Sequence, residues 1–196
     1  MKLLIGTKNP GKAREFSEFL GASFECVSLK DFPGAPDVEE NGTTFEENAW
    51  LKAKAYYEFT KMPVVTDDGG LEIDILNGEP GVLSRRWPGY EATDQELIAL
   101  TLEKLKGIPP ADRGAQLRIA LVFYDGVRTV TASGVIRGEI TEEAGSFEAG
   151  YPFRAIFWVP QFQKLYSALS HEEHDMINHR KKACEELAMK VLSQTF

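Results

Sequence analysis

The first stretch of the chain that could do chemistry is residues 6–12, which read Gly-Thr-Lys-Asn-Pro-Gly-Lys. They fit the phosphate-binding pattern Gly-x-x-x-x-Gly-Lys-Ser/Thr except at its last position, where Ala13 replaces the hydroxyl that would hold magnesium. Backbone N–H groups at the start of a helix suit phosphate oxygens, and side chains add donors and positive charge. The side chains are those of Thr7, Lys8, Asn9 and Lys12. The segment therefore predicts a loop that binds phosphate while a metal ion is held elsewhere; the alternative is a plain strand-to-helix turn.

Two adjacent carboxylates, Asp67 and Asp68, follow an apolar run in the segment Thr-Asp-Asp-Gly-Gly. We expect them at the C-terminal end of a buried strand, where open α/β sheets place their ligands. Adjacent like charges repel, which raises the pKa of at least one of them unless they share a cation. Magnesium prefers carboxylate oxygens and water, so it is the expected cation. The alternative is an ordinary Asp-Gly turn.

A further acid, Glu40, comes just before a predicted helix that carries Asn48 and Lys52. These last two residues are four apart, so they lie on one helical face. Taken alone, Lys52 is as well explained as a solvated helix lysine, and only its combination with the other motifs favours a functional role.

All three histidines of the chain lie in residues 171–180, His-Glu-Glu-His-Asp-Met-Ile-Asn-His-Arg. His171 and His174 are three apart rather than the four of the His-Glu-x-x-His zinc signature. A zinc site completed by Asp175 is therefore the less favoured interpretation. His179 and Arg180 better suit a planar base or a phosphate, because arginine offers fixed, forked donors; the alternative is a solvated helix start.

Strands and helices alternate at first along the chain and are expected to position these groups. Overlapping capping boxes at Thr43–Glu46 and Thr44–Glu47 start one helix, and Thr93 with Glu96 starts another. Asp125-Gly126 between two apolar alternating runs is typical of a hairpin with a type I′ turn. The expected strands are 2–5, 24–29, 63–66, 71–75, 116–124 and 127–140, and the expected helices are 12–20, 44–61, 94–107 and one that begins near Met176. The pattern predicts a mixed α/β sheet.

Composition restricts the function classes. The 196 residues are 43% apolar and 27% charged, which favours one globular domain, and the net charge of −8 argues against binding a nucleic-acid polymer. Membrane spans and a signal peptide are not expected from the sequence, which predicts a cytoplasmic protein. Cys26 and Cys184 lack Cys-x-x-Cys spacing and are expected to be reduced.

In combination these motifs resemble the inosine/xanthosine triphosphate pyrophosphatases, the Ham1-like house-cleaning enzymes, over nearly the whole chain. The blocks that carry the resemblance follow one another in the family's order. They are Thr7-x-Asn9-x-x-Lys12, Glu40, Thr44-Phe45-x-Glu47-Asn48-Ala49-x-Leu51-Lys52-Ala53, Asp67-Asp68-x-Gly70-Leu71, Leu76-Asn77-Gly78-x-Pro80-Gly81-Val82-x-Ser84-x-Arg86 and His179-Arg180.

The resemblance implies an elongated mixed α/β sheet with two lobes and a central nucleotide cleft, in a single Ham1-like domain over residues 1–196, usually as a homodimer. It implies magnesium-dependent hydrolysis of a nucleoside triphosphate to the monophosphate and pyrophosphate. By matching position, residues 7–12 and Lys52 would bind phosphates, Glu40 and Asp68 would hold the metal, and Asp68 would activate the water. Asp67 is a further metal candidate, either as a direct ligand or as a support for the ligands. Gly69 stands where the family usually has serine and would contact substrate through its backbone.

Departures from the family pattern are concentrated in the positions that read the base. The family's Phe-Gly-Tyr/Trp-Asp-Pro is Ala-Gly-Tyr-Pro-Phe-Arg at 149–154, about two residues longer and without the aspartate. Ala168 lacks the glutamate that usually follows, and His174 and Asn178 replace a lysine and a serine. We therefore expect retained phosphate chemistry with an altered choice of base, read by Tyr151, His174, Asn178, His179 and Arg180, with Phe153 and Trp158 as further stacking candidates.

Three other interpretations remain. A non-catalytic nucleotide sensor would keep the phosphate-binding residues but would have less need of a water-activating acid. A P-loop kinase or ATPase is disfavoured by Ala13. A zinc hydrolase would depend on His171, His174 and Asp175.

Overall fold

The computed structural model describes residues 1–193 and confirms the mixed α/β sheet. Within these residues seven strands form one open sheet in the order β2-β1-β3-β4-β5-β6-β7. The strands are β1 Lys2–Ile5, β2 Glu25–Ser28, β3 Val64–Ile73, β4 Gly114–Tyr124, β5 Thr129–Ile140, β6 Phe157–Val159 and β7 Lys164–Leu165. The α-helices are α1 Pro10–Phe19, α2 Phe45–Thr60, α3 Asp94–Lys104, α4 His171–Ile177 and α5 His179–Ser193.

The chain divides into two compact units. The first unit comprises Met1–Asp68, Ile119–Gly134 and the described residues from His179 onward, and the second comprises Gly69–Arg118 and Val135–Asn178. Strands β3, β4 and β5 each contribute residues to both units.

In the first unit, β1 pairs in parallel with both β2 and β3, with Leu4 opposite Val27 on one side and Val64 on the other. Successive side chains of a strand point to opposite faces, so the unit buries two separate apolar clusters. One cluster joins α1 and α5 to the sheet and includes Ile5, Phe16, Val65 and Leu187. The other joins α2 to the sheet and includes Leu4, Ala49, Ala53, Tyr56 and Val64. We call the two sides the α1/α5 face and the α2 face.

The second unit has its own core, in which buried side chains of β3 and α3 pack with the segment that leads into β6. Its largest buried residues include Leu71, Ile73, Leu97, Leu105 and Phe157. β6 pairs antiparallel with β5 and with β7. A cis peptide bond joins Glu79 to Pro80 in the turn-rich segment expected from the sequence.

Side-chain caps fix the helix starts, as the sequence predicts for α2 and α3. Both arms of a capping box form at Thr44 with Glu47 and at Thr93 with Glu96. Of the two overlapping boxes before α2, the one expected between Thr43 and Glu46 is replaced: the Thr43 backbone N–H donates to the Glu47 carboxylate at 2.6 Å.

Three expectations about the elements need correction. β3 does not end before the two aspartates but continues to Ile73, so the segment is neither a strand end nor an Asp-Gly turn. The β4–β5 hairpin forms, but its turn is not type I′, because only Gly126 has a positive φ and the Asp125 carboxylate accepts from the backbone of Val127 and Arg128. The last helix is two helices broken at Asn178, whose ψ of 106° interrupts the helix between Ile177 and His179.

Among the helices in residues 1–193, none combines the length and the apolar character that crossing a bilayer requires.

Candidate active site

The predicted phosphate loop connects β1 to α1 in the first unit, as the sequence analysis expects. Asn9 is the N-cap of α1, and its Oδ1 accepts from the backbone N–H of Gly11 at 2.9 Å and of Lys12 at 3.1 Å. The Thr7 hydroxyl oxygen accepts from the Asn9 N–H at 3.2 Å, which tightens the turn. Gly6 allows the close packing of this turn, because a Cβ there would lie 2.6 Å from the Thr66 methyl carbon. Asn9 therefore contributes to the loop by holding its backbone.

The two aspartates lie inside β3, and for that reason their carboxylates do not point the same way. Neighbouring strand residues project to opposite faces of the sheet. Asp68 lies on the α2 face, where it accepts a hydrogen bond from Asn48. Asp67 lies on the α1/α5 face, where it pairs with Lys12. The two carboxylates therefore have different direct partners, although the Lys52 ammonium acts electrostatically on both.

On the α2 face, residues of α2 and the loop before it surround Asp68. Asn48 is 1% exposed; its amide nitrogen donates to Asp68 Oδ2 at 2.9 Å, and its oxygen accepts from the Gly42 N–H at 2.8 Å. One turn later on the same helical face, Lys52 Nζ donates to Glu40 Oε2 at 2.8 Å. The Thr66 hydroxyl donates to the Ala49 carbonyl at 2.6 Å and fixes α2 against β3. Asn48 is thus a site residue to which the sequence reasoning gave no role, although its spacing from Lys52 was the available signal.

On the α1/α5 face, buried and half-buried charges form two ion pairs. Lys12 Nζ lies 2.7 Å from Asp67 Oδ2, and Arg180 donates to the carboxylate of Glu15. The Arg180 guanidinium also lies 5.8 Å from the centre of the Phe16 ring. Glu15 was not among the sequence candidates, since nothing in the local pattern of α1 distinguishes it from a solvated helix glutamate.

Lys8, the other lysine of the loop, forms an ion pair with Asp37 in the acidic loop that precedes α2.

These arrangements shift the pKa values of the charged groups in different directions. The pKa of Asp68 is raised to about 6, because burial, together with the carboxylates of Glu40 and Asp67, outweighs the lowering by Lys52 and the Asn48 hydrogen bond. Burial would also raise the pKa of Asp67, but Lys12, Lys52 and Arg180 together lower it. For Lys52, burial favours the neutral amine, yet the Asp67, Asp68 and Glu40 carboxylates outweigh it and raise the pKa. At neutral pH Asp67, Asp68 and Lys52 are therefore all charged.

The donors suit a hard divalent cation such as magnesium. Lys12, Lys52 and Arg180 each form an ion pair with a carboxylate, and Asp68 accepts a hydrogen bond from the amide of Asn48. Asp68 on the α2 face and Glu40, which pairs with Lys52 of α2, supply the carboxylate oxygens that magnesium prefers. Within residues 1–193, no three His, Cys, Asp or Glu side chains form a ready-made metal cluster, and Glu40 would have to exchange Lys52 for a metal.

The remaining candidates lie in the second unit, except His179 and Arg180, which begin α5 in the first. The Arg154 guanidinium lies 3.8 Å from the centre of the Tyr151 ring and 5.1 Å from that of Tyr166, so it covers one face of Tyr151. The His174 ring meets Tyr166 edge-on at 5.1 Å, and Asn178 Nδ2 lies 3.4 Å from His174 Nδ1. Phe153 is buried in the core, Trp158 is a half-buried residue of β6, and Gly69 is a half-buried residue of β3.

The zinc interpretation gains no geometric support. His171 is the first residue of α4, its side chain is 82% exposed, and its Nε2 lies 4.0 Å from Asp175 Oδ2. His174 instead packs against Tyr166.

Comparison with known proteins agrees with this fold. The Ham1 family model matches residues 3–190. The dITP/XTP pyrophosphatase of Geobacillus kaustophilus is 42% identical over 95% of this chain and 92% of its own length, and that of Bacillus subtilis is 40% identical over 94% of each. Among solved structures, the Staphylococcus aureus Ham1 protein superposes with a TM-score of 0.87 at 32% identity over the whole of both chains. A HAM1 protein from Coxiella burnetii gives 0.86 at 33% identity, covering 98% of this chain and 99% of its own.

Proposed function

The chain belongs to the Ham1 family, and from that premise we propose that it is a pyrophosphatase that hydrolyses a nucleoside triphosphate to the monophosphate and pyrophosphate. One observation carries the proposal. The first unit brings Lys12 and Lys52, which can bind phosphate, together with the carboxylates of Glu40 and Asp68 beside the phosphate-type loop. The relatives named dITP/XTP pyrophosphatase match over most of their own length.

The phosphate groups are assigned to the loop and to the two lysines. Lys12, Lys52 and the N–H groups at the start of α1 supply the positive potential that a polyphosphate needs. Thr7 and Lys8 lie in the same loop and contribute a hydroxyl and a further charge. Asn9 keeps the loop backbone in place through its cap contacts with Gly11 and Lys12.

Asp68 is the proposed general base. Its carboxylate takes a proton from the attacking water as the water oxygen bonds to phosphorus, and the bond to the pyrophosphate leaving group breaks. A pKa of about 6 suits this step, because the group is ionised at neutral pH and still basic enough to accept a proton. Asn48 holds the carboxylate in one orientation through the 2.9 Å hydrogen bond.

Magnesium is the proposed cofactor, held by Glu40 and Asp68. Bound there, it would lower the pKa of a ligand water and neutralise charge on the phosphates. Because Lys52 now donates to Glu40, transfer of Glu40 to the metal would leave the Lys52 ammonium available for a phosphate oxygen.

The choice of base is proposed to differ from inosine and xanthosine. The altered segment 149–154 stacks the half-buried Arg154 guanidinium on the buried Tyr151 ring, so the guanidinium presents a planar surface with hydrogen-bond donors. A modified purine or a pyrimidine with acceptor atoms on its edge suits such a surface. His174, Asn178, His179, Arg180 and the backbone of Gly69 complete the proposed substrate contacts.

A turnover panel tests both levels of the proposal. The protein is incubated with magnesium and each of a series of inosine, xanthosine, standard, methylated and oxidised nucleoside triphosphates, and the products are separated by ion exchange. We expect a monophosphate and pyrophosphate in equal amounts. Turnover of none of them would favour the nucleotide sensor, and diphosphate with orthophosphate would exclude the pyrophosphatase. If inosine and xanthosine triphosphates were turned over much faster than all the others, the pyrophosphatase proposal would stand and the proposed change of base preference would be wrong.

Pairing into a homodimer, which the family resemblance implies, and a cytoplasmic location, which the sequence predicts, stay predictions. Light scattering of the purified protein and fractionation of expressing cells would test them.

A further inference from the structure

Asp67 is the charged side chain of the site whose surroundings differ most from what its sequence position suggests. It is adjacent to Asp68, yet it lies on the α1/α5 face while Asp68 lies on the α2 face. Asp67 is 2% exposed, deep in the central strand of the first unit. A carboxylate buried to this degree is retained only when it is paired, since an isolated buried charge is costly.

Three cations act on Asp67. Lys12 Nζ donates directly to its Oδ2 at 2.7 Å, and Lys52 and Arg180 act on it electrostatically. Arg180 is in turn oriented by Glu15 and by the Phe16 ring, both on α1. Asp67 therefore connects the strand to the start of α1 through the lysine of the phosphate loop.

Lys12 is half-buried, whereas the carboxylate that contacts it is almost wholly buried. A lysine has four rotatable side-chain bonds, so a fixed anion at its tip removes much of the freedom of the ammonium group. An ammonium held in this way meets a phosphate oxygen without first being ordered, which is the benefit of preorganisation.

We propose, on the basis of the proposed function, that Asp67 is a positioning residue that holds the Lys12 ammonium for the polyphosphate, and that it is not a ligand of the magnesium ion. Asp67 contacts Lys12 on the α1/α5 face. On the α2 face, Asp68 accepts from Asn48 and Glu40 pairs with Lys52. The adjacent aspartates therefore have separate tasks, one for the metal and the water and one for the loop.

Metal affinity distinguishes the two roles of Asp67 without any turnover. Mn²⁺ binding to the wild-type protein and to the Asp67→Asn, Asp68→Asn and Glu40→Gln variants is measured by electron paramagnetic resonance in the absence of nucleotide. The three substitutions remove the same charge. We expect Kd to rise at least about 10-fold for Asp68→Asn and Glu40→Gln and by less than about 3-fold for Asp67→Asn. An equal rise in all three variants would make Asp67 a metal ligand and overturn the proposal.

The link to Lys12 is tested by a double-mutant cycle. Loss of a positioned group can cost about 100-fold in rate, so we expect Asp67→Asn to lower kcat about 10- to 100-fold. The substitution removes a negative charge beside the loop, so tripolyphosphate should bind no more weakly than to wild type. Lys12→Met should weaken tripolyphosphate binding about 10-fold or more. In the Lys12→Met background, Asp67→Asn should change kcat/KM by less than about 3-fold. Additive losses would mean that Asp67 acts independently of Lys12.

The double variant also guards against misfolding, because it removes both members of the buried pair and leaves no charge unpaired. Its net charge equals that of wild type, so its Mn²⁺ affinity should equal that of wild type. A wild-type protein without turnover would contradict the proposed function alone. The Mn²⁺ and tripolyphosphate binding constants of the four proteins in the cycle would then still decide the role of Asp67.

Discussion

At the scale of single residues, two identical carboxyl groups in the site have different surroundings and therefore different properties. Asp67 and Asp68 are chemically identical, yet the pKa of the first is lowered by three cations and that of the second is raised by burial to about 6. The difference arises because β3 turns one carboxylate toward α1 and α5 and the other toward α2. One strand thereby provides a permanent anion and a group that can accept a proton near neutral pH.

Replacing Asp68 by asparagine should abolish turnover and leave the fold intact. Asparagine keeps the shape and can still accept the Asn48 hydrogen bond, but it cannot take a proton from water. We expect kcat to fall by about 10²- to 10⁴-fold, the usual contribution of a general base. Steady-state pyrophosphate release measures this, with the exposed Asp31→Asn as a control of the same chemical change. A near wild-type rate would mean that another group activates the water.

The same substitution should change how stability depends on pH in metal-free protein. The pKa of Asp68 is about 6 when folded and near 3.8 when unfolded, so between these values the folded state binds a proton that the unfolded state has released. Stability from this group therefore falls as pH rises from about 4 to 6, and the loss persists above 6. For a half-buried group we expect roughly 1–2 kcal/mol.

Urea unfolding in EDTA at a series of pH values tests this expectation. At pH 7, Asp68→Asn should be at least as stable as wild type, and below pH 4 the advantage should vanish. An advantage that grows toward acid would reverse the sign of the pKa shift.

At the scale of elements, close backbone contacts fix the helices that carry the site. Gly134 of β5 lies directly under the first residue of α5, and a Cβ at this position would lie 2.0 Å from the His179 carbonyl oxygen. This contact involves backbone on both sides, so no side-chain rotation can relieve it. The start of α5, which presents His179 and Arg180, is therefore set by a glycine in a neighbouring strand.

Gly134→Ala should consequently destabilise the protein by about 1–3 kcal/mol, the usual effect of inserting a methyl group into a packed site. The neighbouring Ser133 is exposed on the other side of β5, and Ser133→Ala should change stability by less than about 0.5 kcal/mol. Chemical denaturation of both variants makes the comparison. Equal stabilities would show that α5 can shift away from the strand without loss.

The elements that local sequence predicts well are those with local causes. Thr44 with Glu47 and Thr93 with Glu96 cap their helices through contacts three residues apart, and the sequence analysis placed both starts. The glycine at position 70 of β3 is explained by a distant contact, because a Cβ there would lie 2.0 Å from the Ser84 hydroxyl oxygen. No local sequence pattern reveals this contact. The glycine pair at 69–70 therefore suggested a turn where the strand continues.

That error had a consequence for the site. With β3 ending at Thr66, both aspartates would share one loop and one cation, as the sequence analysis expected. With β3 continuing to Ile73, they lie on opposite faces. The residue types of the site were thus predictable from motifs, whereas the pairing of each acid with its cation depends on the tertiary course of the strand.

At the scale of the whole molecule, an acidic protein with net charge −8 is proposed to bind a polyanion. It does so with a few cations drawn from distant parts of the chain, since Lys12, Lys52 and Arg180 come from three different helices. Only the folded chain brings them together with the acids that are proposed to bind the metal. A ligand of this site therefore binds the native state and stabilises the entire first unit by mass action.

Magnesium should for this reason raise the melting temperature, and the rise should require Glu40. At a magnesium concentration 100 times its Kd, mass action contributes about 2.7 kcal/mol, which for a chain of this length corresponds to roughly 5–10 °C. Because any salt screens the repulsion within an acidic protein, each melt is compared with sodium chloride at the same ionic strength. Glu40→Gln should lose the magnesium-specific rise, while Glu39→Gln, an exposed neighbour with the same change of charge, should keep it. If Glu40→Gln kept the magnesium-specific rise in melting temperature, Glu40 would not be a ligand of the metal. The proposed exchange of Glu40 between Lys52 and magnesium would then have no support.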